Sequence, residues 1–237
     1  MALYKRENQT SYTLGITLTI ELLKSKPELI EHIYFHTDFD GKSKEIITNM
    51  AKKNNIDILV GNKIFNILSQ KDNCYAIAEF KKYQEQIDYN ENHLVLVNPS
   101  DAGNIGTIMR SSLGFGITNL IIIKPAVDYF NPKAVRSSMG AIFHLNIKEY
   151  DSFEDYLNEY KNHYCYPFML KATKALNDLN EPLKKPFSLV FGNEATGLSD
   201  QFLEIGTPLI IKHSNKIDSL NLPIAVSIGL YEATKHK

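Results

Sequence analysis

The chain has 237 residues, of which 43% are hydrophobic and 22% are charged, and its net charge at pH 7 is −1. This composition is typical of a globular protein and argues against one that coats nucleic acid. No apolar run reaches the roughly 20 residues that a membrane helix needs. The N-terminus has no apolar signal core, and Cys74 and Cys165 form no CxxC pair. We therefore expect a cytoplasmic protein of one or two domains, with any nucleic-acid affinity in a local basic surface.

The first 82 residues alternate between helical and strand patterns. Helices are predicted over residues 12–25, 42–55 and 63–70, and strands over 32–36, 56–61 and 75–83. This alternation predicts a small α/β unit from about residue 10 to residue 82. The stretch 83–92 is polar and lacks apolar periodicity, so we expect a linker there.

A second α/β pattern follows the linker. Strands are predicted over 93–98, 119–124, 165–173, 187–192 and 207–212, and helices over 104–116, 131–145, 151–164 and 221–235. The strands at 93–98 and 119–124 are continuous apolar runs, which is typical of strands buried on both faces of a parallel sheet. Pro132 and Pro223 fit the first turns of their helices. The alternation predicts a parallel sheet covered by helices.

Three segments in this second part place polar residues and glycines just after a strand, where open parallel sheets bind ligands. In the first, Asn104, Gly106 and Arg110 taken alone are better explained as a helix cap, a turn and a surface cation. In the second, glycines flank a carboxylate, and the spacing fits neither GxGxxG nor GxxxxGK[ST]. In the third, residues 219–221 open the last helix and suit an N-cap. Each segment alone is therefore compatible with an ordinary structural role.

Taken together and in this order, the segments resemble the three motifs of the SpoU/TrmH family of the SPOUT RNA methyltransferases. The family's motifs read NxGxxxR followed by FG, then GxExxGL, and then SLN before an amphipathic helix. The matching residues are Asn104, Gly106, Arg110, Phe115, Gly116, Gly192, Glu194, Gly197, Leu198, Ser219, Leu220 and Asn221. Residues 136–147 also resemble a family element between motifs one and two. The resemblance covers about the last 145 residues, and the first part resembles the small RNA-binding domain, akin to a ribosomal large-subunit protein, that precedes the catalytic domain in many members.

The resemblance implies an α/β architecture with a substrate-binding domain over 1–85 and a methyltransferase domain over 93–237. The second domain is expected to carry a deep trefoil knot, formed by segments around 192–198 and 211–221. The family transfers a methyl group from S-adenosylmethionine to a ribose 2′-oxygen of rRNA or tRNA, without a metal ion, and forms homodimers. We expect rRNA rather than tRNA as the substrate, because of the N-terminal domain. The apolar closing helix suits a dimer interface.

The resemblance also assigns roles to residues of this chain. Arg110 is expected either to accept the ribose proton or to remain charged and hold a phosphate. The other residues of the expected catalytic site are Asn104, Glu194, Ser219 and Asn221. The expected cofactor-binding residues are Gly192, Ile211, Leu220, Asn221 and Gly197. Lys133 and Arg136 are expected to bind RNA.

Two functions from other classes stay open at this point. A non-catalytic RNA-binding scaffold would use the same fold, although Asn104, Arg110 and Glu194 are all present. A doubly wound nucleotide-binding enzyme would need a phosphate-binding glycine motif, which the sequence lacks.

Overall fold

The computed structural model describes residues 4–69, 73–179 and 181–235. By packing, the chain divides into two units, one made of Met1–Tyr83 and Asp128–His144 and the other of Gln84–Val127 and Leu145–Lys237. The expected domain limits of 1–85 and 93–237 stay a prediction, since packing alone does not establish which parts fold independently. Among the described residues, no helix is both long enough and apolar enough to cross a membrane.

The first unit contains a four-stranded sheet in the order β1-β4-β2-β3. Its strands are β1 (Thr10–Tyr12), β2 (Ile30–Phe35), β3 (Ile58–Val60) and β4 (Ala76–Lys81), and its helices are α1 (Ile16–Ser25), α2 (Lys42–Lys53) and α3 (Lys63–Leu68). Strand β4 pairs antiparallel with both β1 and β2, and β2 pairs in parallel with β3. Buried apolar residues of α1, α2 and the sheet, among them Leu22, Ile33, Ile47 and Phe80, form the core.

The predicted helix over 12–25 is wrong in its first turn. Tyr12 is the last residue of strand β1 and pairs with Glu79 of β4. Gly15 then takes a φ of 125°, a conformation that an α-helix excludes, so α1 begins only at Ile16. The tyrosine hydroxyl donates a hydrogen bond to the Glu79 carboxylate at 2.9 Å, which fixes the strand in this register.

The later segment 128–144 belongs to the first unit. The rings of Phe130 and Phe143 lie 6.1 and 5.5 Å from the ring of Phe80, and the Ser11 hydroxyl donates to the Phe130 carbonyl oxygen. Within this segment, helix α5 (Pro132–Ser137) begins at the predicted proline. The predicted helix end at 145 is wrong, because residues 139 and 140 both have positive φ angles and a short 3-10 turn follows. Both expected RNA-binding residues, Lys133 and Arg136, lie on α5.

The second unit contains a parallel five-stranded sheet in the order β7-β6-β5-β10-β8. Its strands are β5 (His93–Val97), β6 (Asn119–Ile123), β7 (Asn146–Tyr150), β8 (Tyr164–Pro167) and β10 (Phe187–Phe191). Short strands β9 (Lys174–Ala175) and β11 (Leu209–Ile210) form a separate parallel pair. The helices are α4 (Ala102–Gly114), α6 (Phe153–Glu159) and α7 (Leu222–Thr234). The expected strands β5 and β6 are confirmed, and every residue in them is buried.

A buried polar cluster joins the starts of β5 and β10 to the residue before β8 and to α6. The imidazole of His93 shares a 2.9 Å hydrogen bond with the Tyr156 hydroxyl, and that hydroxyl in turn contacts the hydroxyl of Ser188. His163 bonds the same Ser188 hydroxyl at 3.0 Å, and its ring centroid lies 4.2 Å from that of His93. Burial lowers the pKa of His93 to about 4, and it also lowers the pKa of His163.

Candidate active site

A cavity of about 430 Å³ lies at the carboxyl ends of β8, β10 and β11. It is lined by residues 168–171, 191–200, 210, 211 and 213 and by the start of α7. This is the position at which parallel sheets bind ligands, and the volume falls in the range of small-molecule sites. Six of the predicted site residues line the cavity: Gly192, Glu194, Gly197, Ile211, Ser219 and Leu220.

The loop after β10 forms one wall of the cavity and is folded tightly on itself. The Gly197 amide donates to the Asn193 carbonyl oxygen at 2.9 Å, and the Asn193 side-chain oxygen accepts from the amides of Ala195 and Thr196. A Cβ at position 192 would lie 2.2 Å from the Gly197 carbonyl carbon, and Gly197 itself has a φ of 66°. Both glycines are therefore required by the backbone.

Glu194 connects this loop to the start of α4. One carboxylate oxygen accepts from the amide and hydroxyl of Ser100 at 3.0 and 2.7 Å. The other accepts from the Asp101 amide at 3.1 Å and from the Asn104 side-chain amide at 3.2 Å. Burial alone would raise the pKa of Glu194, but the hydrogen bonds from Ser100 and Asn104 outweigh it and lower that pKa. An ionised carboxylate thus holds motif one against motif two.

Asn104 does not cap its helix. The N-cap of α4 is Asp101, whose side chain accepts from the Asn104 amide at 2.8 Å. The Asn104 side chain is therefore free to donate to Glu194. Sequence reasoning missed Ser100 and Asp101, although Asp is a preferred N-cap residue. It also missed Asn193, whose side chain donates to the Asn98 carbonyl oxygen at 2.7 Å.

Residues 219–221 lead into α7, with Asn221 at the N-cap position. Its backbone carbonyl oxygen accepts from Ile224 and Ala225, but its side chain makes no capping hydrogen bond. Asn221 is exposed and does not belong to the cavity lining, whereas Ser219 and Leu220 do. Capping alone therefore does not account for the polar side chain at 221.

Arg110 lies on the exposed side of α4, outside the cavity lining. In the part of the chain that the structure describes, its side chain has no hydrogen-bond or ion-pair partner. Helix α4 packs on α7, and the hydroxyls of Ser111 and Ser227 meet at 2.8 Å. An open apolar groove of about 360 Å³ runs along the two helices, lined by Thr107, Phe115, Pro223, Ile224, Ser227, Ile228 and Tyr231.

The cavity combines an apolar interior with polar edges. The rings of Phe168 and Phe191 stack at 4.2 Å with an angle of 10° between their planes. At the edge, the Lys171 ammonium bonds the Asp200 carboxylate at 2.6 and 2.8 Å. Such a site can hold a ligand that has a flat, weakly polar part and a charged end.

A family comparison identifies the motifs that surround this cavity. The model of the SpoU rRNA Methylase family matches residues 91–231, which include all three segments. The chain belongs to the SpoU rRNA methylase family. The predicted resemblance is therefore confirmed for more than half of the chain.

Individual relatives agree with this membership. An uncharacterized tRNA/rRNA methyltransferase of Synechocystis sp. is 31% identical over 61% of this chain and 53% of its own length. The 23S rRNA (uridine(2479)-2′-O)-methyltransferase of Streptomyces viridochromogenes is 31% identical over 59% of this chain and 50% of its own length. The chain thus spans about half the length of these two curated relatives. YacO of Bacillus subtilis, assigned to the TrmH family of tRNA/rRNA methyltransferases, is 25% identical over 97% of both chains.

A solved structure shows the fold of nearly the whole chain. The crystal structure of an AdoMet-bound rRNA methyltransferase from Sinorhizobium meliloti superposes with a TM-score of 0.83. It is 24% identical and covers 96% of this chain and 88% of its own. The predicted α/β fold of a SpoU methyltransferase preceded by an N-terminal domain is confirmed, whereas the threading of the knot stays a prediction.

Proposed function

We propose that this SpoU family protein is an S-adenosylmethionine-dependent RNA 2′-O-ribose methyltransferase that acts on rRNA. The observation that carries the proposal is the site itself. Motifs two and three line one cavity, and Glu194 of motif two makes four hydrogen bonds to residues at the start of motif one. An RNA-binding scaffold would have no need for this arrangement.

The cavity residues fit the proposed cofactor. A side chain at Gly192 would clash with the backbone of Gly197 and Leu198 and so displace the loop that forms the cavity wall. Ile211 and Leu220 supply apolar surface on which an adenine ring can pack. When bound, the sulfonium donor supplies an activated methyl group. Gly192, Gly197, Ile211 and Leu220 would hold it, with Asn221 at the rim.

The protein's own chemical task is to make a ribose hydroxyl reactive. A free ribose hydroxyl is a poor nucleophile, so its proton must be shared as the methyl group moves. We assign this task to Arg110, either as the proton acceptor or as a fixed cation that holds a phosphate and stabilises the developing alkoxide. Asn104 and Glu194 then act as positioning residues, because they fix the start of the helix that carries Arg110.

A homodimer is part of the same proposal. The groove between α4 and α7 exposes Ile224 and Tyr231, whose exposed fractions are 53% and 55%. Thr107 lines this groove one helical turn before Arg110, so a second copy seated there would meet the arginine. This supports a site that two copies complete, since Arg110 lies outside the cavity of its own chain. Cys74 and Cys165 are buried and unpaired, which suits a cytoplasmic location.

Two measurements test the proposal. Calorimetry should show S-adenosylmethionine binding that Gly192→Ala weakens. A map of 2′-O-methyl sites in total RNA, with and without the gene, should lose one rRNA mark. Loss of a tRNA mark instead would identify tRNA as the substrate. An unchanged map together with no cofactor binding would favour a non-catalytic RNA-binding scaffold.

A further inference from the structure

Met139 is an apolar side chain held outward by an unusual backbone. Its φ is 50°, in the left-handed region that side chains other than Asn, Asp and Gly seldom adopt. Among the described residues, the other non-glycine positions with positive φ are Asn55 and Asn98. The flanking residues Ser138 and Gly140 are buried, whereas the exposed fraction of Met139 is 49%.

The turn does not need a methionine for its own stability. The Ser138 hydroxyl donates to the Val135 carbonyl oxygen at 2.7 Å and accepts from the Gly140 amide at 3.3 Å. The Met139 amide donates to the Arg136 carbonyl oxygen at 3.2 Å. These bonds involve backbone and Ser138, so Gly or Asn at 139 would keep all of them and relieve the strain. Strain that persists although these hydrogen bonds do not need the side chain points to a function of that side chain.

The next residue, Gly140, differs from Met139 because the fold does depend on its type. Gly140 has a φ of 94°, and a Cβ there would lie 2.6 Å from the Glu21 side chain. The fold therefore requires glycine at 140, but it does not require methionine at 139.

The segment that leads to Met139 carries two positive charges. Lys133 and Arg136 lie three residues apart on α5, on neighbouring positions of one helix face, and Met139 follows three residues later. Lys133 is exposed and Arg136 is half-buried. The nearby carboxylate, Glu21, is bonded to His144 at 2.8 Å. An apolar tip that follows two cations along the chain suits a nucleobase between phosphates better than it suits a protein surface.

We propose that Met139 packs against an unpaired nucleobase of the RNA while Lys133 and Arg136 contact the flanking phosphates. Apolar side chains of this kind insert between bases and hold them apart in other nucleic-acid complexes. The flexible thioether suits a base of any identity. The protein would thus recognise an unstacked nucleotide of the RNA rather than a duplex. This inference rests on the proposed function, since it assumes an RNA substrate.

The test compares Met139→Gly with the wild-type protein, and it uses Ile46→Ala as the matched control. Ile46 has an exposed fraction of 47%, lies on α2 of the same unit, and has no assigned role. The probes are a fluorescein-labelled RNA hairpin with a single-stranded loop and a duplex of the same stem. Anisotropy gives the dissociation constants, and thermal unfolding gives the stability.

We expect Met139→Gly to weaken hairpin binding about tenfold, equivalent to about 1.4 kcal/mol, and to leave duplex binding unchanged. Its melting temperature should be equal to or above that of the wild type. Ile46→Ala should change neither affinity. Met139→Asn, which also tolerates the left-handed backbone, should reproduce the loss.

Three results would overturn the inference. If the wild type binds the hairpin and both Met139 variants bind it equally well, the inference fails while the proposed function stands. If both variants unfold at lower temperature, the methionine has a packing role instead. If the variants bind RNA normally but light scattering gives them a different molar mass from the wild type, Met139 lies in a contact between protein chains. Failure of the wild type to bind either RNA would count against the proposed function as well.

Discussion

Mild acid should destabilise the protein through the buried imidazole of His93. The folded state keeps this group neutral, because burial lowers its pKa to about 4. In the unfolded chain the same group has a pKa of about 6.5. As the pH falls below that value, the unfolded state takes up a proton that the folded state excludes. The free energy of unfolding therefore decreases from about pH 6.5 downwards.

The pKa difference sets the size of this effect. Each pKa unit corresponds to about 1.4 kcal/mol, so the full loss is about 3 kcal/mol, reached below about pH 4. At pH 5 the loss is about 2 kcal/mol. The pKa of His163 is also lowered by burial, so its titration adds to the loss. The carboxyls of Glu159 and Glu194 have lowered pKa values as well, and they act only below about pH 4.5, the pKa of a free glutamate.

Urea unfolding between pH 7.5 and pH 5 measures this dependence. His93→Asn should reduce stability at pH 7.5, because the Tyr156 hydrogen bond is lost or weakened, and should flatten the pH dependence. Tyr156→Phe is the matched control, since it removes that bond and keeps the imidazole, so its pH dependence should resemble that of the wild type. Equal slopes in the wild type and His93→Asn, or an NMR pKa of His93 above 6, would refute the reasoning.

Three further predictions concern catalysis. Arg110→Ala should lower kcat by at least about 10³-fold and leave cofactor binding intact, as expected for a group at the reacting hydroxyl. Substantial activity in Arg110→Lys would favour the fixed-cation role. Near-normal methylation by Arg110→Ala would exclude both roles. Gly192→Ala should weaken S-adenosylmethionine binding at least about tenfold, because the new Cβ would lie 2.2 Å from the Gly197 backbone. Gly61→Ala is the control and should bind the cofactor normally, since no atom lies within 4 Å of a Cβ added there. Glu194→Gln should lower kcat about tenfold with a smaller change in cofactor affinity, since it loosens the start of α4; an unchanged kcat would show that this carboxylate does not position Arg110.

Local patterns predicted those parts of the fold that local chemistry determines. Strands β5 and β6 are evident because four of the five residues in each are apolar, as burial on both faces requires. The start of α5 was evident from Pro132, which suits a first helical turn. Strand β1 was missed because its three residues are set by pairing with β4, a segment some seventy residues away. No local propensity reports such a pairing.

The sequence predicted only those residues of the site that lie within the three motifs. Gly192, Glu194 and Gly197 lie in one motif and line the cavity. Phe168, by contrast, lies in a stretch that reads as a continuing strand, although β8 ends at Pro167. Its contribution comes from stacking on Phe191, a long-range contact that leaves no local signature.

The tightness of the loop at Gly192 has a consequence for how the sequence of this protein can vary. Where the ligand is faced by peptide groups, the identity of the neighbouring side chains carries little of the recognition. Ala195 and Thr196 contribute their amides to the turn, and those amides survive most replacements. Substitutions at these two positions should therefore leave the shape of the cavity wall largely unchanged.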